Sequence, residues 1–121
     1  MRLLLLANEA PEDFDLRDNK EKHDSYMGAW FAFGAALTEA GVKQASAALE
    51  PPSTATVVSV RDGVRRVEDG PYPDAKEQLG GFAIIDVADL KTGAEWAKKC
   101  PAAANGFVDV RVIPSLEEHA Q

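Results

Sequence analysis

Between Asp69 and Gly81 the chain reads Asp-Gly-Pro-Tyr-Pro-Asp-Ala-Lys-Glu-Gln-Leu-Gly-Gly, which places five of its sixteen glycines and prolines within 13 positions. Glycine opens backbone angles that other residues resist, and proline fixes φ at about −65°. A run of this kind encodes one particular path: a rigid turn, a charged segment, and a Gly-Gly step into the apolar strand that begins at Phe82. Irregular segments held on such a path often carry function.

The chain has 121 residues, 45% of them hydrophobic and 27% charged, which fits one compact domain over residues 1–121 rather than a disordered segment. The formal net charge of −7 argues against a nucleic-acid partner, which needs clustered Lys and Arg. Leu3-Leu4-Leu5-Leu6-Ala7 is too short for a membrane span or a secretory core, and reads as a buried strand. Cys100 stands alone, so neither an intrachain disulfide nor a cysteine metal cluster is expected. These features predict a cytoplasmic protein without a membrane partner.

Met1 to Ala7 reads as a first strand, apolar on both faces, which predicts a central place in a sheet. Residues 8–19 read as a polar, acidic connection. From Lys20 to Ala40 a helix is predicted, because Tyr26, Trp30, Phe33, Leu37 and Ala40 make one apolar stripe, and Gly41 suits its C′ position. Val42 to Leu49 is weakly patterned, either a short strand or an irregular edge, and Glu50-Pro51-Pro52-Ser53 stops it. Ala55 to Val60 and Val64 to Glu68 predict two strands joined by an Asp62-Gly63 hairpin turn. Phe82 to Val87 is a further buried strand. Asp89 caps a second helix that runs through Leu90, Ala94, Trp96, Ala97 and Cys100 and is stopped by Pro101. After Gly106 comes a last strand, Phe107 to Ile113, with one uniformly Val face, then a loose polar tail from Pro114 to Gln121.

This order, two strand–helix–strand units around a hairpin, predicts an α+β, ferredoxin-like (split βαβ) sheet with two helices on one face. One such layer pair leaves the other sheet face uncovered. A homodimer whose sheets face each other is the natural solution at this length.

The residues Asp69-Gly70-Pro71-Tyr72, followed by Lys76-Glu77-Gln78-Leu79-Gly80-Gly81-Phe82, resemble the YCII-related proteins, in particular the branch named for its Asp-Gly-Pro-Phe motif. Ile84-Ile85-Asp86-Val87, Glu95-Trp96-Ala97, Cys100-Pro101 and Val108-Asp109-Val110-Arg111 also resemble it, as do Ala40-Gly41-Val42 and Leu49-Glu50-Pro51-Pro52 upstream. The similarity covers about residues 26–113. It implies a dimeric α+β barrel, with members linked to sigma-factor regulation or proposed as small lyases and hydrolases. Many relatives carry a His about a dozen residues before the helix-ending Gly, paired in proposals with an Asp. Here Ala29 and Trp30 occupy that place, and His23 lies nearly two turns earlier.

Asp69 is the sharpest catalytic candidate, as a general acid or base or a substrate acceptor. Its competing role, which Asp-Gly-Pro favours, is a turn residue accepting backbone N–H groups. Tyr72, an aromatic beside proline, can plug a core or dimer interface or line a ligand pocket. Lys76 with Glu77 forms a solvated edge, a local ion pair or the polar lining of a cleft. Asp86 lies in an apolar strand and needs a partner if it points inward. Arg111 on the last strand can supply it, giving a buried pair as a second candidate ligand site. Trp30 and Trp96 fall on apolar stripes and read as core. His23 and His119 are isolated, so no metal is expected. No phosphate loop is present, so no cofactor is implied. Cys100 at a helix C-terminus is a poor nucleophile.

Two functions fit these residues. One is a small-molecule-binding or regulatory interaction dimer. The other is a small cofactor-free enzyme of lyase or hydrolase type that uses Asp69 as acid or base.

Overall fold

The computed structural model describes residues 1–18, 23–69 and 77–115. Within them, a four-stranded antiparallel sheet is built from β1 (Arg2–Glu9), β2 (Lys43–Ala48), β5 (Gln78–Asp86) and β6 (Phe107–Ile113), in the order β2-β5-β1-β6. β1 and β2 both run antiparallel to β5 and therefore parallel to each other. That is the split β-α-β arrangement expected from the element order. A separate hairpin, β3 (Thr56–Arg61) with β4 (Val64–Asp69), is inserted between β2 and β5. Asp62 and Gly63 at its tip have φ of 52° and 78°, the paired positive angles that a tight two-residue hairpin turn requires.

Strand alternation sets the layers. Leu3, Leu5, Ala7 and Glu9 of β1 point to one face and are buried, while Arg2, Leu4, Leu6 and Asn8 point to the other. The inward face carries Ala83, Ile85, Val108 and Val110 of the neighbouring strands. Onto it pack Phe33 and Leu37 of α2 (His23–Glu39), Ala97 of α3 (Leu90–Lys98) and Ala102 of α4 (Ala102–Asn105). Helix α2 ends in a Schellman closure: Gly41 at φ 73° donates to the Thr38 carbonyl (3.0 Å), and Val42 donates to the Leu37 carbonyl (3.1 Å). Helix α3 begins as expected, with the Asp89 side chain accepting from the Thr92 amide at 2.8 Å.

Some expectations are corrected and others hold. Residues 8–19 are not a plain connection, because Pro11–Asp18 form helix α1. Its composition is too polar for a hydrophobic period to reveal it. Proline at the first helical position, Glu12 and Asp13 in the first turn and Arg17 in the last all suit helix ends, and Phe14 anchors it by burial. Helix α3 does stop ahead of Pro101, at Lys98, and a separate short helix, α4, follows with Pro101 at its N-cap. Of the two readings left open for Val42 to Leu49, the short strand holds: Lys43–Ala48 form edge strand β2, with a shift in register against β5 between Lys43 and Ala45. The Gly80-Gly81 step lies inside β5 rather than ahead of it, with Gly81 paired to Ala7 and Ala48. Of the tail, Pro114 and Ser115 are described, and the remainder lies outside the described residues.

Candidate functional site

The alternation that buries Leu3, Leu5 and Ala7 also drives Glu9 inward, where its side chain is 0% exposed. A buried carboxylate needs a charge partner and hydrogen bonds. Arg17, near the end of α1, donates through Nη2 to Glu9 Oε2 at 2.6 Å. From the first turns of α2, Tyr26 donates its hydroxyl to Glu9 Oε1. The guanidinium is held in turn by the Gly80 carbonyl, 3.0 Å from Nη2, and by the Leu49 carbonyl at Nη1. It also stacks over the Phe14 ring, 4.9 Å from the centroid. His23 Nδ1 meets the Arg17 backbone carbonyl. Five segments thus converge on one ion pair.

The arrangement depends on Gly80. A β-carbon there would lie 1.5 Å from Glu9 Oε2 and 3.0 Å from Arg17 Nη2. Gly80 carries no positive φ. Its role is space for the ion pair, not backbone freedom.

Asp13, one turn before Arg17 on α1, is also buried. Its Oδ1 accepts from Asn105 Nδ2 at 3.2 Å, while Oδ2 has no hydrogen-bond partner. Burial pushes the Glu9 carboxyl above its ordinary value. Arg17 opposes that shift by charge and hydrogen bonding, and Asp13 adds to it.

Beside this cluster, between α2 and the β2–β5 side of the sheet, lies a cavity of about 450 Å³, within the range of small-molecule sites. Its wall includes Leu5, Ala7, Met27, Trp30, Phe31 and Phe33, with Arg17 the charged residue nearest the core. Gly34 also faces it, with nothing within 4 Å of a β-carbon placed there. Trp30 serves the wall as well as the core margin, and meets Phe33 edge-on at 6.3 Å between centroids. Trp30 Nε1 and Arg17 Nε are buried without hydrogen-bond partners. Cys100 is buried in the same wall, its thiol pushed up to about 11 by burial, which makes it a poor nucleophile.

The residues singled out from sequence fall elsewhere. Asp69 ends β4, exposed, paired in register with Thr56 and outside the cavity wall. Tyr72 and Lys76 lie outside the described residues. The pairing of Asp86 with Arg111 is corrected. Asp86 is exposed and meets the Met1 amino group at 3.2 Å, and in the sheet it pairs with Arg2, whereas Arg111 pairs with Leu4. Both lie on the face opposite the helices, at the end of β5 and near the end of β6, where solvent supplies what a buried pair would need. His119 is outside the described residues.

Glu9, Asp13, Arg17 and Tyr26 were not singled out from sequence. The available signal was the continuation of the β1 alternation to Glu9, together with the four-residue spacing of Asp13 and Arg17.

With this geometry established, comparison with protein families matches residues 1–116 to the YCII-related domain. The chain belongs to the YCII-related family. An uncharacterized protein of Rhizobium meliloti (strain 1021) is 33% identical over 97 residues, 78% of each chain. Among solved structures, 5-chloro-2-hydroxyhydroquinone dehydrochlorinase (TftG) from Burkholderia phenoliruptrix AC1100, in complex with 2,5-dihydroxybenzoquinone, superposes with a TM-score of 0.54 over 98% of both chains at 15% identity. That likeness establishes a shared fold. Among the described residues there is no His/Cys/Asp/Glu group suited to a metal ion, and no helix is long and apolar enough to cross a membrane.

Proposed function

We propose that this YCII-related chain, of the Asp-Gly-Pro-Phe branch, is a small-molecule-binding protein that forms a single domain over residues 1–121 and works as a cytoplasmic homodimer. The observation that carries the reading is the cavity of about 450 Å³ whose wall holds the Glu9-anchored guanidinium of Arg17. A buried ion pair contributes little net stability over well-packed apolar residues. An apolar core at this place would need neither Arg17 nor a glycine at 80. The pair instead presents a fixed polar group in a mostly apolar wall, the composition of a ligand site.

A thermal-shift screen against a metabolite library, run on the wild type and on Gly34→Leu, tests this. A ligand at a hundredfold its Kd stabilises the fold by about 2.7 kcal/mol. A β-carbon at position 34 meets no protein atom and Gly34 lines the cavity, so Gly34→Leu fills space there and a genuine occupant shifts the wild type and not the variant. A library without such a compound, or hits that shift both proteins equally, would sink the reading.

A cofactor-free enzyme is the second reading. It draws on the raised pKa of Glu9 beside the Tyr26 hydroxyl, a pairing suited to moving a proton. In this reading Glu9 replaces Asp69 as acid or base. Turnover of a bound compound that is lost in Glu9→Gln and kept in Asp69→Asn supports it, and an unchanged compound after prolonged incubation removes it.

A further inference from the structure

We propose that the cavity between α2 and the sheet takes an uncharged, ring-bearing organic molecule and discriminates against the corresponding carboxylate. The inference rests on the ligand-binding reading above and names the ligand's class.

An arginine in a pocket wall ordinarily suggests an anionic ligand. Here that positive charge is already neutralised. Arg17 Nη2 lies 2.6 Å from Glu9 Oε2, and the same guanidinium also donates to the Gly80 and Leu49 carbonyls. Behind the pair lies a second buried carboxyl, Asp13, whose Oδ2 has no hydrogen-bond partner. Arg17, which lines the cavity, is therefore set against two buried carboxyls, Glu9 and Asp13, that lie outside its wall. An anion entering there meets no net positive field, and in a low-dielectric wall like charges repel strongly. Lys43 also borders the cavity, but it is exposed on edge strand β2, where water and salt screen it.

The wall itself sets the rest of the class. Trp30, Phe31 and Phe33, with Met27, offer flat apolar surfaces from α2. Aromatic and thioether groups favour a ring. Arg17 Nε–H and the Trp30 indole N–H are buried donors without partners, so neutral acceptor atoms such as a carbonyl or ether oxygen suit this region better than further donors.

Matched pairs test the inference: coumarin against coumarin-3-carboxylate, and 2-acetonaphthone against 2-naphthoate, each titrated at pH 7 with Trp30 and Trp96 fluorescence and calorimetry as readouts. The neutral member of each pair is expected to bind roughly tenfold or more tightly than its carboxylate, to be insensitive to salt, and to lose binding in Gly34→Leu. Glu9→Gln removes a buried negative charge and is expected to narrow the gap by improving the carboxylate. Carboxylates that bind as well as or better than their neutral partners overturn the inference while leaving the cavity reading intact. Binding of neither member of any pair overturns it as well. Neutral ligands that bind Gly34→Leu undiminished overturn the cavity reading itself.

Discussion

Gly80 and Glu9 are locked together: a β-carbon on Gly80 would stand 1.5 Å from Glu9 Oε2. The carboxylate cannot retreat, because Arg17 and Tyr26 hold its two oxygens from other elements. Gly80→Ala is therefore expected to destabilise the fold by about 1–3 kcal/mol, as overpacking in a filled interior does. Gly28→Ala is the matched control. Nothing lies within 4 Å of its β-carbon, and alanine in place of glycine inside helix α2 should be neutral or stabilising by up to about 1 kcal/mol. Urea unfolding of both variants checks the pair, and equal midpoints would mean that Glu9 does not occupy the Gly80 notch.

Glu9 also gives the protein a specific pH response. Burial raises its carboxyl pKa above the ordinary 4.5, so between the unfolded and the folded value the folded chain binds more of this proton than the unfolded chain. Stability from this group is then fully present below the unfolded pKa and is lost as pH rises through the folded one. In Glu9→Gln that dependence disappears. Unfolding free energies of the two proteins, measured from pH 4 to pH 8, should show the wild type losing ground to the variant as pH rises. A difference that stays constant or moves the other way would contradict the account.

Much of the fold was legible because periodicity reports burial. The alternation of β6, the stripe of α2, the Asp62-Gly63 turn and the Asp89 cap each announce a local structure by a local rule. The site was not legible for the opposite reason. Glu9, Asp13 and Arg17 sit in a stretch whose polarity reads as solvent-facing, and their burial comes from α1 folding back under the Gly80 carbonyl and the Leu49 carbonyl, contacts more than thirty residues away. The Gly80-Gly81 step was visible as unusual, but its purpose depends on a side chain about seventy positions earlier in the chain. Asp69 drew attention because acidic residues in Gly-Pro turns are conspicuous, yet it is exposed at the end of a hairpin strand.

The Asp89 cap makes a second, opposite pH prediction. Hydrogen bonding from Thr92 holds the Asp89 carboxyl below its ordinary 3.8. Stability from the cap is present above the unfolded pKa and is lost as pH falls through the lowered folded value. Asp89→Ala should lower the melting temperature clearly at pH 7 and by less at an acidic pH below the ordinary 3.8, where the cap's contribution is being lost. An equal drop at both values would assign the effect to helix propensity rather than to the charged cap.

The sheet face away from the helices bears on the proposed homodimer. Leu4 pairs with Ile84 and Leu6 with Phe82 across β1 and β5, which makes a four-residue apolar patch at the sheet centre. Arg111 and Asp109 of β6 flank it, paired to Leu4 and Leu6. A patch of this kind with charges of both signs at its side is suited to meeting a second copy of itself about a two-fold axis, where each apolar centre covers the other and Arg111 can reach an acidic group across the axis. Ile84→Glu places a like charge against its own symmetry mate at the middle of such an interface, where burying unpaired charge costs most. Sedimentation equilibrium at micromolar concentration should therefore show the wild type as a dimer and Ile84→Glu as a folded monomer. Val64→Glu, a change to an exposed residue next to the hairpin turn, should stay dimeric. A wild-type chain that sediments as a monomer, or an Ile84→Glu variant that remains a dimer, would remove this face as the interface.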